Sequence, residues 1–450
     1  MGTRGLLLRS TIVAALGGLL FGFDTAVISG TTDALRKVFE LTSQQLGFTV
    51  ASALIGTILG AIAVGRPADM VGRRTTLIVM AVFYFVSAVG SAFPWDWYSF
   101  LGFRFLGGLA VGGASVVSPL YIAEISPARL RGRLVAVQQF NIVLGILLAF
   151  FSNYLLAGME LGGVTWRWMF GVEAFPAAAF FFLLFGIPQS PRWLVAKGRV
   201  EEAGRLLALL GTDTGSVQQE IDAIRQSLTV EHDSLQEPFL RRKYAKPIML
   251  AVLIAMFNQL SGINAVLYYA PQVFQMAGAS EGSALMQTMA VGGTNLIVTM
   301  LAMTVIDYFG RRVLMLVGSI GYIVSLGTVA WAFYTYGTQF TATGNVIVLG
   351  ALMLFIASHA FGQGAVIWVF LSEIFPNRVR ARGQALGSFT HWFMCALISW
   401  TFPVIADVSG GHAFAFFAAM MVLQLLWVIF LMPETKGVPL EEIQLKLGIA

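Results

Sequence analysis

The sequence predicts an all-α membrane protein of twelve transmembrane helices in two related halves. Hydrophobic residues make up 57% of the 450-residue chain and charged residues only 11%, whereas a soluble domain carries about 25% charged residues. A chain of this length has room for roughly twelve apolar spans of ~20 residues each. Two similar basic loops, GRPADMVGRR (65–74) and VIDYFGRR (305–312), lie between apolar runs nearly half a chain apart. Such duplication is typical of transporters whose substrate site lies where the halves meet.

Apolar runs separated by charged or turn-forming clusters define the twelve predicted spans. In the first half they cover 10–30, 46–66, 75–93, 98–121, 133–157 and 168–187. In the second half they cover 247–274, 284–306, 313–335, 345–371, 382–404 and 412–432. The chain therefore divides into an N-terminal six-helix bundle, a linker, a C-terminal six-helix bundle and a tail, at 1–187, 188–246, 247–432 and 433–450.

Basic residues set the predicted orientation. Lys and Arg concentrate in alternate loops and at both termini, and the opposite loops keep only Arg36, Lys37 and Arg167. Because basic loops stay in the cytoplasm, we expect both termini on the cytoplasmic side. The same spread over alternate loops argues against nucleic acid as the reason for the net charge of +5.

The predicted linker differs from the spans because it is rich in charge. Glu201 and Glu202 precede Arg205, and leucines recur on one face between Val200 and Leu210. This periodicity predicts short amphipathic helices on the cytoplasmic side. A disordered linker is the alternative.

Several chemical classes find no support in the sequence. The single cysteine, Cys395, lies in an apolar run and excludes an intrachain disulfide. The four histidines are scattered and form no metal-ligand pattern. There is no phosphate-binding loop and no nucleophile–base spacing, so we expect neither enzymatic activity nor a metal or cofactor.

Eight motifs in order along the chain resemble those of the sugar porter family of the major facilitator superfamily. They are GGLLFGFDTAVISG (17–30), GRPADMVGRR (65–74), YIAEISPARLRGRL (121–134), QSPRWL (189–194), NQLSGINAVLYYAP (258–271), DYFGRR (307–312), SEIFPNRVRARG (372–383) and PETKG (433–437). The similarity covers nearly the whole chain and is close to bacterial sugar–proton symporters of the xylose–proton type. It implies the major facilitator fold, with two six-helix bundles and a cytoplasmic helical linker, working by alternating access in the bacterial cytoplasmic membrane.

Charged residues at the ends of spans repeat between the halves, and Glu124 and Glu373 are each followed seven residues later by an arginine. The resemblance implies that these groups form salt bridges between the halves that close an inner gate and break in every cycle. Modest, partly solvated pairs suit that task, and the alternative is that the charges only signal topology. The predicted gate residues are Asp69, Arg73, Arg74, Glu124, Arg131, Asp307, Arg311, Arg312, Glu373 and Arg380.

Three charged residues lie clearly within predicted spans: Asp24, Arg104 and Glu173. A central charge costs at least ~2.5–3.5 kcal/mol to insert, so it needs a partner or a watery cavity. Asp24 and Arg104 have opposite charges and are the natural pair. The resemblance implies that Asp24 couples protons with Arg104 as its counter-ion, and that Glu173, near the cytoplasmic side, helps the proton leave. The alternatives are a purely structural ion pair and, for Glu173, a pairing with a cytoplasmic arginine.

A sugar site needs side-chain amides, which both donate and accept hydrogen bonds, together with aromatic rings. The resemblance implies such residues in both halves, whereas a lone amide in a span can also serve as a helix–helix contact. The predicted sugar-binding residues are Phe21, Gln139, Asn258, Gln259, Asn264, Tyr268, Asn295, Trp368, His391 and Trp392.

Four positions depart from the family pattern. Asn258 replaces the first of two glutamines, and His391 stands where an amide precedes the tryptophan, so both bear on which sugar binds. Ala365 replaces a proline and Gln189 replaces a glutamate, so both bear on the gate. Ile146 stands where the xylose type has a second glutamine, which favours a hexose.

We therefore predict a monomeric, proton-coupled importer of a monosaccharide, either a hexose or a pentose, whose partners are the sugar, the proton and the lipid bilayer. A facilitative sugar uniporter and a non-transporting sugar sensor are the alternatives. Facilitative relatives generally lack the aspartate found at position 24, and sensors of this fold carry long cytoplasmic signalling tails.

Overall fold

The computed structural model of the protein describes residues 3–127, 130–211, 214–234, 237–376, 378–438 and 440–449. Within these ranges, the side chains at 3, 4, 214, 215, 229–234, 307, 440, 441 and 446 lie outside the description. The described residues form α-helices joined by short turns, and no β-strand occurs among them.

The helices follow the predicted order. Those of the first half are α1 (Thr3–Val27), α2 (Thr32–Val38), α3 (Ser43–Ala63), α4 (Gly65–Val71), α5 (Arg73–Ala92), α6 (Trp97–Ile125), α7 (Arg131–Gly158), α8 (Thr165–Gly171) and α9 (Ala174–Leu184). The linker contains α10 (Pro191–Ala196), α11 (Val200–Leu209) and α12 (Thr214–Ser234). The second half and tail contain α13 (Ala245–Leu260), α14 (Ile263–Met276), α15 (Glu281–Phe309), α16 (Arg311–Tyr336), α17 (Ala342–Phe361), α18 (Gln363–Glu373), α19 (Arg380–Val408), α20 (Gly410–Phe430) and α21 (Leu440–Leu447).

Twelve segments among the described residues are long and apolar enough to cross a membrane, as predicted. Nine of the predicted spans are single helices. The sixth, seventh and tenth are each built from two helices, α8–α9, α13–α14 and α17–α18, which corrects the expectation of one helix per span. Each interruption falls beside a residue predicted to be functional or a departure from the family pattern.

The physical reasons for the interruptions differ. Gly262, between α13 and α14, has φ +83°, a left-handed conformation that a residue with a Cβ rarely adopts. Gly362, between α17 and α18, also leaves helical geometry, with φ −92° and ψ −99°. The turn between α8 and α9 includes Glu173, whose carboxyl group is thereby placed in the interior of the helices.

Contacts group the described residues into two compact units. The first unit comprises 1–25, 52–149 and 167–236, and the second comprises 26–51, 150–166 and 237–450. The linker helices pack in the first unit, where Leu206 and Leu207 of α11 are buried, so the linker is helical and amphipathic as predicted. The division of the sequence at 1–187 and 247–432 stays a prediction.

The second unit includes α2 and the start of α3, which bond to α14 and α19. Arg36 Nη2 lies 3.2 Å from Asp407 Oδ2, and the Ser43 hydroxyl donates to the same carboxylate. Gln272 Nε2 donates to Asp33 Oδ1 at 2.7 Å. These polar bonds hold a segment of the first half against helices of the second half.

The end of the linker is fixed in the second unit by Glu237, which accepts hydrogen bonds from Lys243 Nζ and from the Tyr244 hydroxyl. These two bonds, with lesser help from the charge of Arg378, lower the pKa of Glu237 to about 2. Arg382 Nη1 of α19 donates to the Glu237 carbonyl oxygen. Glu237 therefore connects the end of the linker to the residues that precede α13, and its carboxylate stays charged throughout the physiological pH range.

Close backbone approach positions the helices that carry the buried charges. A Cβ on Gly108 of α6 would lie 1.9 Å from the Ala53 carbonyl oxygen of α3, and a Cβ on Gly112 would lie 2.1 Å from the Thr57 carbonyl oxygen. Small residues that let backbones touch are the usual way in which membrane helices associate tightly. The α3–α6 contact therefore fixes the helix that bears Arg104.

Helix α1 packs against α7 in the same way. A Cβ on Gly22 would lie 1.9 Å from the Ile142 carbonyl oxygen, and a Cβ on Gly145 would lie 2.1 Å from the Leu19 carbonyl oxygen. The turn of α1 that carries Asp24 is therefore held at close range.

We predict that Gly108→Ala lowers the midpoint of thermal unfolding in detergent by several degrees, because the added methyl group overlaps a backbone carbonyl that cannot move without separating α3 from α6. Gly102→Ala on the same helix is the matched control, since a Cβ there meets nothing within 4 Å. Alanine is better than glycine in a helix by about 0.5–1 kcal/mol, so the control should unfold at the same or a slightly higher temperature. Equal midpoints for the two variants would contradict the close packing.

Candidate functional site

A buried ion pair lies in the first unit, as the sequence predicts. Arg104 Nη1 donates to Asp24 Oδ1 at 2.7 Å, and Arg104 Nη2 donates to the Asp24 carbonyl oxygen at 3.1 Å. Asp24 is 1% exposed and Arg104 is 2% exposed. The guanidinium also lies above the Phe170 ring, 5.4 Å from its centroid. The pair is therefore removed from water on every side.

Glu173 is the second carboxyl group of this cluster. It is buried and interacts electrostatically with both Asp24 and Arg104. The alternative, a pairing of Glu173 with a cytoplasmic arginine, is not seen among the contacts of the described residues, because the break between α8 and α9 turns the side chain inward. One guanidinium thus faces two carboxyl groups, and full ionisation of both leaves an uncompensated buried negative charge, which is costly.

Some polar atoms of the cluster have no hydrogen-bond partner among the described residues. They are Asp24 Oδ2, Glu173 Oε1 and Arg104 Nε. Two polar residues of α5 lie beside them: a Cβ on Gly107 would contact both Ser87 Oγ, at 2.4 Å, and Asp24 Oδ1, at 3.2 Å, while Tyr84 interacts electrostatically with both carboxyl groups. The site therefore holds several donors and acceptors that have no hydrogen-bond partner among the described residues.

The sequence analysis missed Tyr84 and Ser87. Their sequence pattern could have indicated them, because Tyr84, Ser87 and Ser91 recur at helical spacing inside an apolar span. All three are buried in the structure. Polar groups on one face of a membrane helix usually face protein or a cavity rather than lipid.

The predicted sugar amides of the second unit lie around Gly262, where α13 ends and α14 begins. Asn264 Nδ2 donates to Gln259 Oε1 at 2.8 Å, and Gln259 Nε2 donates to Asn258 Oδ1 at 2.9 Å. Gln259 and Asn258 are buried. The left-handed glycine allows three amides from two helices to meet.

His391 of α19 joins this cluster. Gln259 Nε2 lies 3.3 Å and 3.4 Å from the two ring nitrogens of His391. The imidazole stands between two indoles, with ring centroids 5.2 Å from Trp368 and 5.0 Å from Trp392. The imidazole therefore lies among the predicted sugar residues.

The remaining predicted sugar residues are placed as follows. The Tyr268 hydroxyl lies 3.9 Å from Cys395 Sγ on α19, the helix of His391. Asn295 Oδ1 accepts from Thr299 on its own helix, α15, and the contacts of the described residues do not join it to the amide cluster. Phe21 and Gln139 belong to the first unit, where both are half-buried.

Arg73 is the centre of the charged cluster at the start of α5. Its Nη1 donates to Asp69 Oδ1 at 2.8 Å, and its Nε and Nη2 donate to Glu124 Oε1 at 3.2 Å and 3.0 Å. The Ser190 hydroxyl donates to the other oxygen of Glu124. Three predicted gate residues are thus brought together within the first unit.

Arg311 occupies the matching place at the start of α16. Its Nε and Nη2 donate to the two oxygens of Glu373 at 3.1 Å and 2.8 Å, and the Thr435 hydroxyl donates to Glu373 at 2.6 Å. The side chain of Asp307, which matches Asp69, lies outside the described residues. The bidentate geometry is the strong form of an arginine–carboxylate pair.

The second arginine of each loop binds the main chain. Arg74 Nε donates to the Leu184 carbonyl oxygen at 3.0 Å, and Arg312 Nε donates to the Val428 carbonyl oxygen at 3.2 Å. Each of these carbonyl groups lies near the end of the last helix of its half. The duplication seen in the sequence therefore extends to the carbonyl groups that the second arginine of each loop binds.

Arg131 and Arg380 also bind carbonyl oxygens, those of Ala123 at 3.1 Å and Phe375 at 3.4 Å. The described carboxylates of the gate are held by arginines of their own unit. Salt bridges between the halves stay a prediction.

Gln189 and Glu434 take matching places at the starts of α5 and α16. Glu434 accepts from the backbone N–H groups of Arg311 and Arg312, each at 3.0 Å. Gln189 Oε1 accepts from the backbone N–H of Arg74 at 3.2 Å, while its Nε2 acts as a donor. A carboxylate offers two acceptors and a negative charge to a helix start, where both are favourable. The neutral Gln189 therefore gives the first half a weaker junction than the second.

Two further residues of the second unit were missed by the sequence analysis. Gln363 and Gln424 are fully buried amides that continue the chain of hydrogen bonds from Asn258. Each stands as a lone glutamine in an apolar run, which was a usable signal of a buried contact.

Comparison with known proteins gives consistent matches. Residues 10–447 match the family model for "Sugar (and other) transporter". The chain is 38% identical to the D-xylose-proton symporter of Escherichia coli (strain K12), over 96% of this chain and 94% of that one. It is also 38% identical to the glucose transport protein of Synechocystis sp., over 96% and 95% of the two chains. The inward-open structure of the Escherichia coli xylose transporter matches with a TM-score of 0.86 and 37% identity, over 98% and 99% of the two chains.

We predict that Glu434→Gln lowers the midpoint of thermal unfolding in detergent, because it gives α16 the weaker start that α5 already has. Hydrogen bonds to a charged acceptor contribute about 1.5–3 kcal/mol each, and part of that contribution is lost. Glu281→Gln is the control, since Glu281 lies exposed in the first turn of α15. An unchanged midpoint for Glu434→Gln would contradict a stabilising role of the carboxylate at the start of α16.

Proposed function

Because the chain belongs to the sugar transporter family, we propose that it imports a monosaccharide together with protons across the cytoplasmic membrane by alternating access. The observation that carries the proton part is the buried cluster of Asp24, Arg104 and Glu173. The sugar part rests on the amides and aromatic rings around Gly262.

The buried ion pair supplies the coupling. While Arg104 lies 2.7 Å from Asp24, the guanidinium stabilises the charged form of the carboxylate. When the helices rearrange and the guanidinium withdraws, the carboxylate is left in an apolar setting, and binding a proton removes the cost of an isolated buried charge. Protonation is thereby linked to conformation, which is what coupling requires.

Glu173 gives the proton a second acceptor close to Asp24. Its carboxyl group lies within electrostatic reach of Asp24 and Arg104 and has an oxygen without a partner among the described residues. A proton that leaves Asp24 as Arg104 returns therefore has a neighbouring carboxylate to receive it. This supports the role of Glu173 in proton release, now placed beside the ion pair.

The second unit offers a sugar hydroxyl both donors and acceptors. Asn264 presents Oδ1 as an acceptor once its Nδ2 has bonded to Gln259, and the Gln259 amide has a second N–H directed at His391. Trp368, which is 41% exposed, offers an aromatic face for the apolar side of a sugar ring. These residues form the binding surface in this proposal.

The protein is a multi-pass membrane protein with twelve helical spans among its described residues. The concentration of basic residues in alternate loops supports cytoplasmic termini. We further propose that it works as a monomer, since each chain carries both the proton cluster and the sugar cluster.

We predict that Asp24→Asn abolishes accumulation of sugar driven by a proton gradient in proteoliposomes while sugar counterflow remains measurable. The amide keeps the shape of the side chain and loses its ability to titrate. Asp33→Asn is the control, because Asp33 is a half-buried carboxylate that accepts a hydrogen bond from Gln272 and lies outside the cluster of Asp24, Arg104 and Glu173. An Asp24→Asn protein that still concentrates sugar would contradict the coupling role.

We predict that His391→Gln changes the relative affinities of competing sugars, because an amide replaces an imidazole that contacts Gln259 and both indoles. Competition among glucose, galactose and xylose should be measured in the Asp24→Asn background, which removes the titration of Asp24. His412→Gln is the matched control, since His412 bonds Tyr334 at the start of α20. An unchanged ranking would assign His391 a structural role and direct attention to Asn258.

A further inference from the structure

The hydrogen-bond chain that begins at the proposed sugar amides continues away from them across three more helices. Asn258 Nδ2 donates to Gln363 Oε1 of α18 at 3.4 Å, and Gln363 Nε2 donates to Gln424 Oε1 of α20 at 2.9 Å. Gln424 Nε2 donates to Ser319 Oγ of α16 at 2.8 Å. The chain therefore links α13 to α16 through side chains alone.

The members of this chain are removed from solvent. Gln259, Gln363, Gln424 and Ser319 are all 0% exposed. A buried amide that loses a hydrogen-bond partner is destabilised, so each member depends on its neighbours for its orientation. The chain behaves as one connected network.

The donors in the chain all point the same way, and the far end sets that direction. The Ser319 hydroxyl donates to the Met315 carbonyl oxygen at 2.7 Å, so it presents a lone pair to Gln424. Gln424 must then turn its NH₂ group to Ser319 and its carbonyl group to Gln363. A carbonyl group cannot donate, so the choice made at α16 is passed along the chain.

The orientation of each amide fixes that of the next as far as the proposed sugar-binding residues. Gln363 turns its carbonyl group to Asn258, and Asn258 turns its carbonyl group to Gln259. Gln259 is then left with its carbonyl group toward Asn264 and its second N–H toward His391. The Ser319 hydroxyl, which lies two amides beyond Asn258, thus decides which group of each sugar-facing amide donates and which accepts.

We propose that Ser319, acting through Gln424 and Gln363, is a positioning residue that sets the donor–acceptor polarity of the sugar amides and thereby the selectivity among sugar epimers. This inference rests on the proposed function. Epimers differ in the direction of a single hydroxyl group, so the sugar whose hydroxyls match a fixed pattern of donors and acceptors is favoured. Asn258 is shorter than the glutamine of the family pattern, and it takes part because its amide lies within reach of both Gln259 and Gln363.

The test is Ser319→Ala in the full-length protein, with affinities for glucose, galactose and xylose measured by competition binding. Removal of the hydroxyl leaves Gln424 without its acceptor, so the whole chain can reverse its amides. We expect the ratio of the glucose and galactose affinities to change at least threefold. Ser319→Thr, which keeps the hydroxyl group, should restore the wild-type ratio.

Ser325→Ala is the matched control. Ser325 lies on the same helix, is equally buried and donates only to the Tyr322 carbonyl oxygen of its own helix in the described contacts. It should leave the ratio unchanged. Gln424→Met is the second variant, because it interrupts the chain with a side chain of similar length, and it should shift the ratio as Ser319→Ala does.

The outcomes separate this inference from the proposed function. A wild-type ratio in both Ser319→Ala and Gln424→Met, with sugar still bound, would overturn the positioning role and leave the proposed function intact. An equal shift in Ser325→Ala would also overturn it, because the effect would then be a general response of the core. Failure of the wild-type protein to bind any of the three sugars would contradict the proposed function and this inference with it.

Discussion

A guanidinium that is closed off from water and faces two carboxyl groups is the constraint around which the first unit is organised. Hydrocarbon and protein interior make an isolated charge expensive, so Arg104 requires Asp24, to which it donates a hydrogen bond. The close approach of α1 to α7 and of α3 to α6 fixes the helices that carry the two residues. Glu173 adds a second carboxyl group, so the charges of the cluster do not balance when both carboxyl groups are ionised. Because the site has two carboxyl groups and one guanidinium, the number of protons bound to it affects which conformation is stable. A coupled transporter needs this property.

The second unit meets the same cost with neutral groups. Its amides bond one another in a continuous chain from Asn264 to Ser319. In the proposal made above, the surface offered to a sugar is fixed by partners that the sugar does not contact. At the ends of the spans, each half instead uses an arginine–glutamate pair supported by a hydroxyl donor, Ser190 in the first half and Thr435 in the second. Among the described residues, charge is thus confined to the loops and the ends of the spans and to the interior cluster of Asp24, Arg104 and Glu173.

The sequence was sufficient for the fold class, the number of spans and the Asp24–Arg104 pair, because composition, periodicity and charge inside apolar runs are local properties. It was not sufficient for Glu173, whose partner depends on a helix break that only the packed structure reveals. Gln363 and Gln424 were missed because a lone glutamine in an apolar run says that a partner exists without saying where. The repeated loops were visible in sequence, but the binding of Arg74 and Arg312 to carbonyl groups requires the fold.

The central claim, that transport of the sugar is coupled to a proton carried at the buried Asp24 site, is tested most directly by recording proton movement itself. Proteoliposomes that hold a trapped pH-sensitive dye would be given external sugar with no initial pH gradient and with the membrane potential clamped by potassium and valinomycin. The account predicts acidification of the interior that begins with sugar uptake and amounts to about one proton per sugar, one for each buried ion pair. Sugar uptake at the same rate without a change of internal pH would contradict it and would identify the protein as a facilitative uniporter.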